Sequence, residues 1–333
     1  MPSIDPDTAL HVVAGVLRNT KGEVFLTQRQ PGRHQEGKWE FPGGKRERDE
    51  PPKAALIREL KEELGIEVSA LVPRIQVPYV YPDVSILLDV FDVTTYSGEP
   101  YGAEGQHTAW SSLNDLDQFD YPAANLPVIS SLRLPDCCAI SNVASVGEKR
   151  FMQLLRQRLD AGLRLLQLRE SELDRPAFAR LARNVADLVH EYGGMVLLNT
   201  TDSTLVEKTG ADGMHLNSAY LKQITERPLA FPFQVAASCH NLEEILHAET
   251  IQATFVLLSP VRKTRSHPGA PTIGWNEFAH IARQCSLPVY ALGGMTLADV
   301  AKARERGAQG VSMLGAVWTE AFVEQLKHRR QTS

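Results

Sequence analysis

Glu59, Glu62 and Glu63 stand at positions i, i+3 and i+4 of the run Arg58-Glu59-Leu60-Lys61-Glu62-Glu63-Leu64-Gly65-Ile66. On a helix that spacing gathers the carboxylates on one stripe, where like charges repel. The same residues fall in the C-terminal half, where anions oppose the helix dipole. An arrangement this unfavourable locally points to a compensating ligand, and oxygen donors suit a hard divalent cation such as Mg2+ or Mn2+. A solvated acidic face with Arg58 and Lys61 interleaved is the competing reading. The element that must position these groups has clear ends. Pro51 and Pro52 suit a first turn and Gly65 suits the position past the last one, so a helix is expected from about Pro52 to Leu64. Ile57, Leu60 and Leu64 share a face and are expected to meet a core.

The chain has 333 residues, long for one domain and comfortable for two. Its net charge of -5 gives no electrostatic reason for direct nucleic-acid binding or for a membrane surface. No apolar run approaches bilayer length, and Met1-Pro-Ser-Ile-Asp-Pro-Asp7 lacks the basic and apolar regions of a signal peptide. The 4 cysteines, Cys137 and Cys138 among them, form no metal or disulfide framework. A cytoplasmic location is the expectation.

Patterning divides the chain into expected domains at 1–132 and 136–330, with Leu132-Arg-Leu-Pro-Asp136 as connector. In the first, His11 to Leu17, Glu23 to Arg29 and Ser85 to Val93 read as strands, which suits a mixed sheet flanked by helices. In the second, apolar runs alternate with amphipathic helices. They start at Ala139, Leu165, Met195, Gly213, Val235, Thr254, Val289 and Gly310. Eight strands with helical spacers indicate a (β/α)8 barrel, with a doubly wound open sheet as the alternative.

The segment Gly44 to Ile66 reads Gly, five residues, Glu50, seven residues, then Arg58-Glu59-apolar-x-Glu62-Glu63-x-Gly65-apolar. It resembles the signature of the Nudix hydrolases, which implies an α/β/α sandwich with a mixed sheet and hydrolysis of phosphoanhydrides. The resemblance implies that Glu59, Glu62, Glu63 and the Gly43 carbonyl hold Mg2+ or Mn2+, that Arg58 orients its neighbours, and that Glu50 supports the loop–helix junction. Which carboxylate acts as general base is left open. Across about residues 8 to 132 the chain is similar to MutT-type sanitising pyrophosphatases. Gly98-Glu-Pro-Tyr-Gly-Ala-Glu104-Gly-Gln106 and Pro122-Ala-Ala-Asn125-Leu-Pro-Val-Ile129 carry that likeness. It implies Glu104 as a further metal-side carboxylate and Asn125 as the reader of a purine edge. Arg29, His34, Glu40, Phe41 and Pro42 match nucleotide-contacting positions. The implied substrate is a nucleoside triphosphate, with oxidised purines such as 8-oxo-dGTP foremost.

Residues of about 137 to 325 resemble thiamine phosphate synthase and its thiazole tautomerase relative. The likeness rests on Gln167-Leu-Arg169-Glu170, Asn199, Asp212-Gly-Met-His215, Ser238, Gly293-Gly294, Asp299 and the segment around Ser312. It departs from the synthase at the chemistry. Ser171 replaces a lysine, Thr200 and Thr201 replace an Asp pair, Tyr220 falls where a later Asp belongs, and the Thr264-Arg-Ser266-His267 loop is only approximate. A departing pyrophosphate needs Mg2+, so synthase activity is not expected. The phosphate end implies a thiazole or thiamine phosphate ligand. His240 resembles the tautomerase at a position suited to acid–base work, and a buried or capping histidine is the equal alternative. Three functions follow: a nucleotide pyrophosphatase, a thiamine-pathway transferase or tautomerase, or a barrel that only senses a phosphorylated ligand.

Overall fold

The computed structural model describes residues 9–264, 269 and 271–332, so the N-terminal heptapeptide and residues 265–267 of the expected synthase-like loop lie outside the described residues. The chain forms two compact units, the first running to Arg133 and the second starting at Leu134.

The first unit contains β1 (Leu10–Leu17), β2 (Val24–Gln28), β3 (Trp39–Glu40), β4 (Gly43–Lys45), α1 (Pro52–Leu64), β5 (Glu67–Val80), β6 (Ser85–Ser97), β7 (Thr108–Ser111) and α2 (Leu126–Arg133). One sheet runs β4-β1-β6-β5 and the other β3-β2-β7. β1 pairs parallel with β6 and antiparallel with β4, so the first sheet is mixed. Residues of β1 alternate between two cores, as a strand buried on both faces requires. Val13 and Leu17 join Leu56, Leu60 and Leu64 of α1, while Ala14 and Val16 join Val128, Ile129 and Leu132 of α2. The sheet is therefore covered on both faces, the α/β/α sandwich expected.

Two sequence expectations need correction here. Ile57 is 37% exposed, and the buried stripe of α1 is Ala55, Leu56, Leu60 and Leu64. At about 100° per residue Ile57 lies on the edge of that stripe, and Leu56 takes the inner position. The expected connector is also shorter, because α2 continues through Leu132 and Arg133.

In the second unit β8 (Cys137–Ile140), β9 (Leu165–Leu168), β10 (Met195–Asn199), β11 (Gly213–Leu216), β12 (Gln234–Cys239), β13 (Phe255–Leu258), β14 (Val289–Leu292) and β15 (Gly310–Met313) close into a parallel barrel. Helices α3 (Val143–Val146), α4 (Glu148–Ala161), α5 (Arg175–Glu191), α6 (Thr204–Thr209), α7 (Ser218–Leu221), α8 (Leu242–Thr250), α9 (Gly274–Ala282), α10 (Val300–Glu305) and α11 (Glu320–Thr332) link or follow the strands. Closure is explicit in the register: Val311, Ser312 and Met313 of β15 pair with Cys137, Cys138 and Ala139 of β8. The open-sheet alternative is thereby excluded. Leu165, Leu197, Ala236, Phe255, Leu257 and Tyr290 fill the barrel, so it is a packed core with its chemistry at the strand ends. No helix of the described residues is long and apolar enough to cross a membrane.

Candidate functional site

The loop from β4 and helix α1 bring the first acidic group together. Gly43 has φ +150, and a side chain there would collide with the Val13 carbonyl at 2.1 Å. At Gly44 the obstruction is different: a Cβ would stand 2.2 Å from Glu59 Oε2. The Gly43–Gly44 pair thus admits carboxylates against the loop backbone. Gly43 N–H donates to Glu63 Oε2 at 3.1 Å.

Arg58 organises the neighbouring carboxylates. Its Nε and Nη2 donate to the two oxygens of Glu50 at 3.2 and 3.0 Å, a bidentate pairing across the loop–helix junction. Its Nη1 donates to Glu59 Oε1 at 2.8 Å and to Glu62 Oε2 at 3.3 Å. These contacts, to Glu50 first, raise the Arg58 pKa further and hold Glu50 below its usual range. Among the described residues the Glu63 carboxylate has one backbone N–H as its hydrogen-bond partner. Burial pushes its pKa up to about 8, the negative charges of Glu40, Glu59 and Glu104 add to the rise, and the Gly43 hydrogen bond opposes it.

Among the described residues no three His, Cys, Asp or Glu side chains stand in a metal-holding cluster. Glu59 and Glu62 are turned to Arg58, and the side chain of Glu62 is 57% exposed. The residues nonetheless fit a hard cation. The donors are all oxygens, and Glu40, Glu59, Glu63 and Glu104 together offer more carboxylates than the guanidiniums of Arg29 and Arg58 offset.

A second group lies around Tyr81. Arg29 is paired with Glu40, and its Nε donates to the His34 carbonyl at 2.6 Å. The His34 ring meets Tyr81 edge-on at 5.2 Å, and its Nε2 is 3.4 Å from Asp83. The Tyr81 hydroxyl accepts the Ala124 N–H at 3.2 Å, inside the turn Ala123–Asn125. Asn125 is only 6% exposed, and its side-chain amide has no hydrogen-bond partner among the described residues. Phe41 is packed in the core beside Tyr121, and the Pro42 carbonyl is used by Gly15 N–H. Sequence reasoning missed Tyr81, Gln30 and Gln106, whose contacts join segments far apart in the chain. Only the Gly-x-Glu-Gly-Gln run around Gln106 offered a signal.

In the barrel the expected residues gather at the ends of successive strands. Asn199 Nδ2 donates to the His215 carbonyl at 3.3 Å, and His215 Nε2 is 2.8 Å from Ser238 Oγ. Burial lowers the His215 pKa to about 3, with the charge of Arg169 adding to it, so the imidazole is neutral. His240 Nδ1 lies 2.9 Å from the Ser259 carbonyl, which can only accept, so Nδ1 carries a proton. Glu170 is buried and accepts from Ser141 Oγ at 2.6 Å and from the N–H groups of Val143 and Ala144 at 2.9 and 3.1 Å. Gln167 and Ser312 are fully enclosed, whereas Arg169 is exposed, its N–H bonded to Ser141 Oγ at 2.8 Å. Gly293 and Gly294, at φ +105 and +67, let the backbone of Pro260 and Lys263 lie within 2.9 Å of where a Cβ would stand. Beyond Thr200 and Thr201 the next carboxylate, Asp202, is paired with Arg175 and accepts from Thr204 N–H and Oγ1 at 3.1 and 2.7 Å.

The NUDIX domain family matches residues 13–131, and the thiamine monophosphate synthase family matches residues 137–317. The 8-oxo-dGTP diphosphatase of Escherichia coli K12 is 42% identical over 124 residues, 37% of this chain and 96% of that protein. Its counterpart in Haemophilus influenzae is 40% identical over 37% of this chain and 90% of its own length. The putative thiamine-phosphate synthase 2 of Aquifex aeolicus is 34% identical over 182 residues, 54% of this chain and 96% of that protein. The chain belongs to the Nudix hydrolases through its first unit and to the thiamine monophosphate synthase family through its second.

Proposed function

We propose that the first unit is a divalent-cation-dependent nucleoside triphosphate pyrophosphatase that prefers oxidised purine nucleotides such as 8-oxo-dGTP. Water attacks at phosphorus, the bond between the α and β phosphates breaks, and a nucleoside monophosphate and pyrophosphate leave. Removal of such nucleotides limits mutagenesis. The observation that carries the reading is Glu63, half-buried against the Gly43 N–H with Glu40, Glu59 and Glu104 near enough to raise its proton affinity. In this reading Gly43, Glu59, Glu62, Glu63 and Glu104 hold Mg2+ or Mn2+. When bound, the cation supplies charge neutralisation on the phosphates and a more acidic water. Arg58 keeps Glu59 and the Glu50 junction in register. Arg29, His34 and Glu40 meet the nucleotide, and the unpartnered amide of Asn125 reads the purine edge by donating and accepting. The likeness to relatives named as 8-oxo-dGTP diphosphatases supports this substrate. The test is pyrophosphate release from normal and oxidised triphosphates, with and without chelator. Equal rates on dGTP, dTTP and 8-oxo-dGTP refute the substrate class, and chelator-resistant rates refute the cation.

For the barrel, the positions of Ser171, Thr200 and Asp202 favour a second reading: it binds a thiazole or thiamine phosphate without making thiamine phosphate. Asp202 is committed to Arg175 and Thr204, so it is not available as a replacement for the missing carboxylates. The residues offered to the ligand are Arg169, Asn199, Ser238, His240, Gly293 and Gly294, whereas the expected Gln167 and Ser312 have enclosed side chains that a ligand does not reach. Calorimetry with thiazole phosphate tests it, and silence at millimolar ligand refutes it.

A further inference from the structure

Glu104 rides on the loop between β6 and β7, and its side chain is exposed. Among the described residues no group hydrogen-bonds its carboxylate, so the backbone sets the region that charge can reach. The backbone is held firmly. Tyr101 N–H donates to the Leu64 carbonyl at 3.3 Å and Ala103 N–H to the Glu63 carbonyl at 2.9 Å, which moors the loop to the last turn of α1. Gln106 adds a side-chain clasp. Its Nε2 donates to the Glu63 carbonyl at 3.0 Å, and its Oε1 accepts the Glu104 N–H at 2.9 Å. Gln30 Nε2 completes the grip by donating to the Glu104 carbonyl at 2.6 Å. At Gly102 a Cβ would stand 2.2 Å from the Gln106 carbonyl and 3.2 Å from its Oε1, so the loop is shaped around this glutamine.

A primary amide presents one acceptor and two donors in a fixed plane, so one side chain can hold two backbones at a set separation. Here the two backbones are those of Glu63 and Glu104. We infer that Gln106 is a positioning residue that fixes the Glu104 backbone relative to Glu63 and thereby limits the span over which their carboxylates can meet a divalent cation. The inference rests on the proposal that Glu63 and Glu104 serve one cation site. A purely structural Gln106, finishing the carbonyls of α1, would change stability and leave cation affinity untouched.

Three variants of the full chain separate these cases: Gln106→Met, which keeps the volume and removes both hydrogen bonds, Glu104→Gln, and the two combined. The readout is binding of Mn2+ alone to the nucleotide-free protein, followed by electron paramagnetic resonance, beside the unfolding midpoint without metal. Gln106→Met is expected to weaken Mn2+ binding about ten-fold, the usual scale for groups that orient ligands. Glu104→Gln is expected to weaken it at least as much, and the double variant no more than Glu104→Gln alone. In pyrophosphate release, the Mn2+ requirement of Gln106→Met should rise while the KM for nucleotide at saturating Mn2+ stays near wild type. Wild-type Mn2+ affinity in Gln106→Met beside a loss in Glu104→Gln overturns the inference, as do losses that multiply in the double variant. Wild-type affinity in Glu104→Gln itself overturns the shared cation site, and the inference falls with it. If Gln106→Met does not fold, Gln106→Asn carries the same test, because its shorter amide cannot reach both backbones.

Discussion

Glu63 shows how one side chain can be unfavourable for folding and useful for function. Its carboxylate is half-buried, one hydrogen bond is all it receives among the described residues, and its pKa is pushed to about 8. Glu63→Gln keeps the shape and an acceptor for the Gly43 N–H but loses the charge. Pyrophosphate release should fall about 100-fold or more, the scale seen when one electrostatic contributor to a transition state is removed. The metal-free unfolding midpoint should hold or rise, because folding no longer has to bury and protonate a carboxyl that is ionised in the unfolded chain. Wild-type rates at saturating Mg2+ would remove Glu63 from the site. Asn125 makes the opposite kind of contribution, through recognition. Asn125→Ala leaves a buried purine edge without its partner, at a cost of about 1–3 kcal/mol or roughly ten- to hundred-fold in kcat/KM. That loss should fall on oxidised purines, and an equal loss on pyrimidine triphosphates would show that Asn125 does not read the base.

At the scale of elements, the site depends on how closely α1 approaches the β4 loop. Gly44→Ala places a methyl 2.2 Å from Glu59 Oε2, so either the loop or the Glu59–Arg58 pair must move. A shift near 1 Å costs on the order of 100-fold in rate when positioning matters this much. Helical content should be unchanged, since α1 owes its ends to Pro52 and Gly65. Retained activity in Gly44→Ala would show that Glu59 tolerates displacement. In the barrel, β11 carries His215, whose folded pKa of about 3 lies below the ordinary 6.5. The unfolded chain therefore binds a proton that the folded chain refuses. Stability present above pH 6.5 is lost as the pH falls from there toward 3, by up to about 1.4 kcal/mol per pH unit. Urea unfolding at pH 7 and 5 should show a smaller drop in His215→Gln than in wild type. Identical drops would exclude the imidazole as the source.

On the scale of the whole molecule, two compact units share one chain. The full chain should bind thiazole phosphate in calorimetry and yield no thiamine phosphate when pyrimidine pyrophosphate and Mg2+ are added. The negative half follows from the side chains: Ser171, Thr200 and Tyr220 offer neither Mg2+ carboxylates nor a cation for the leaving pyrophosphate. Mg2+-dependent product would mean that other residues hold the metal.

The sequence alone determined the features that depend on local spacing. Helix α1 was legible from Pro52, Gly65 and its acidic stripe. The barrel's eight strands were legible because each is a short apolar run between amphipathic helices. Tertiary structure decided what depends on distant segments meeting. Strand β5 was not legible because Pro73 and Pro78 interrupt its pattern, and they are tolerated only because β5 lies at the edge of its sheet. Ile57 matched the apolar period yet lies at the margin of the buried stripe, since the strands beneath α1 choose which side faces inward. Barrel closure required the pairing of β15 with β8, which no local pattern encodes. The clasp of Gln106 on Glu63 and Glu104, and that of Tyr81 on Ala124, each join residues about 40 positions apart. Such contacts are satisfied donors and acceptors brought together by the packed core, so they exist only once the chain has folded.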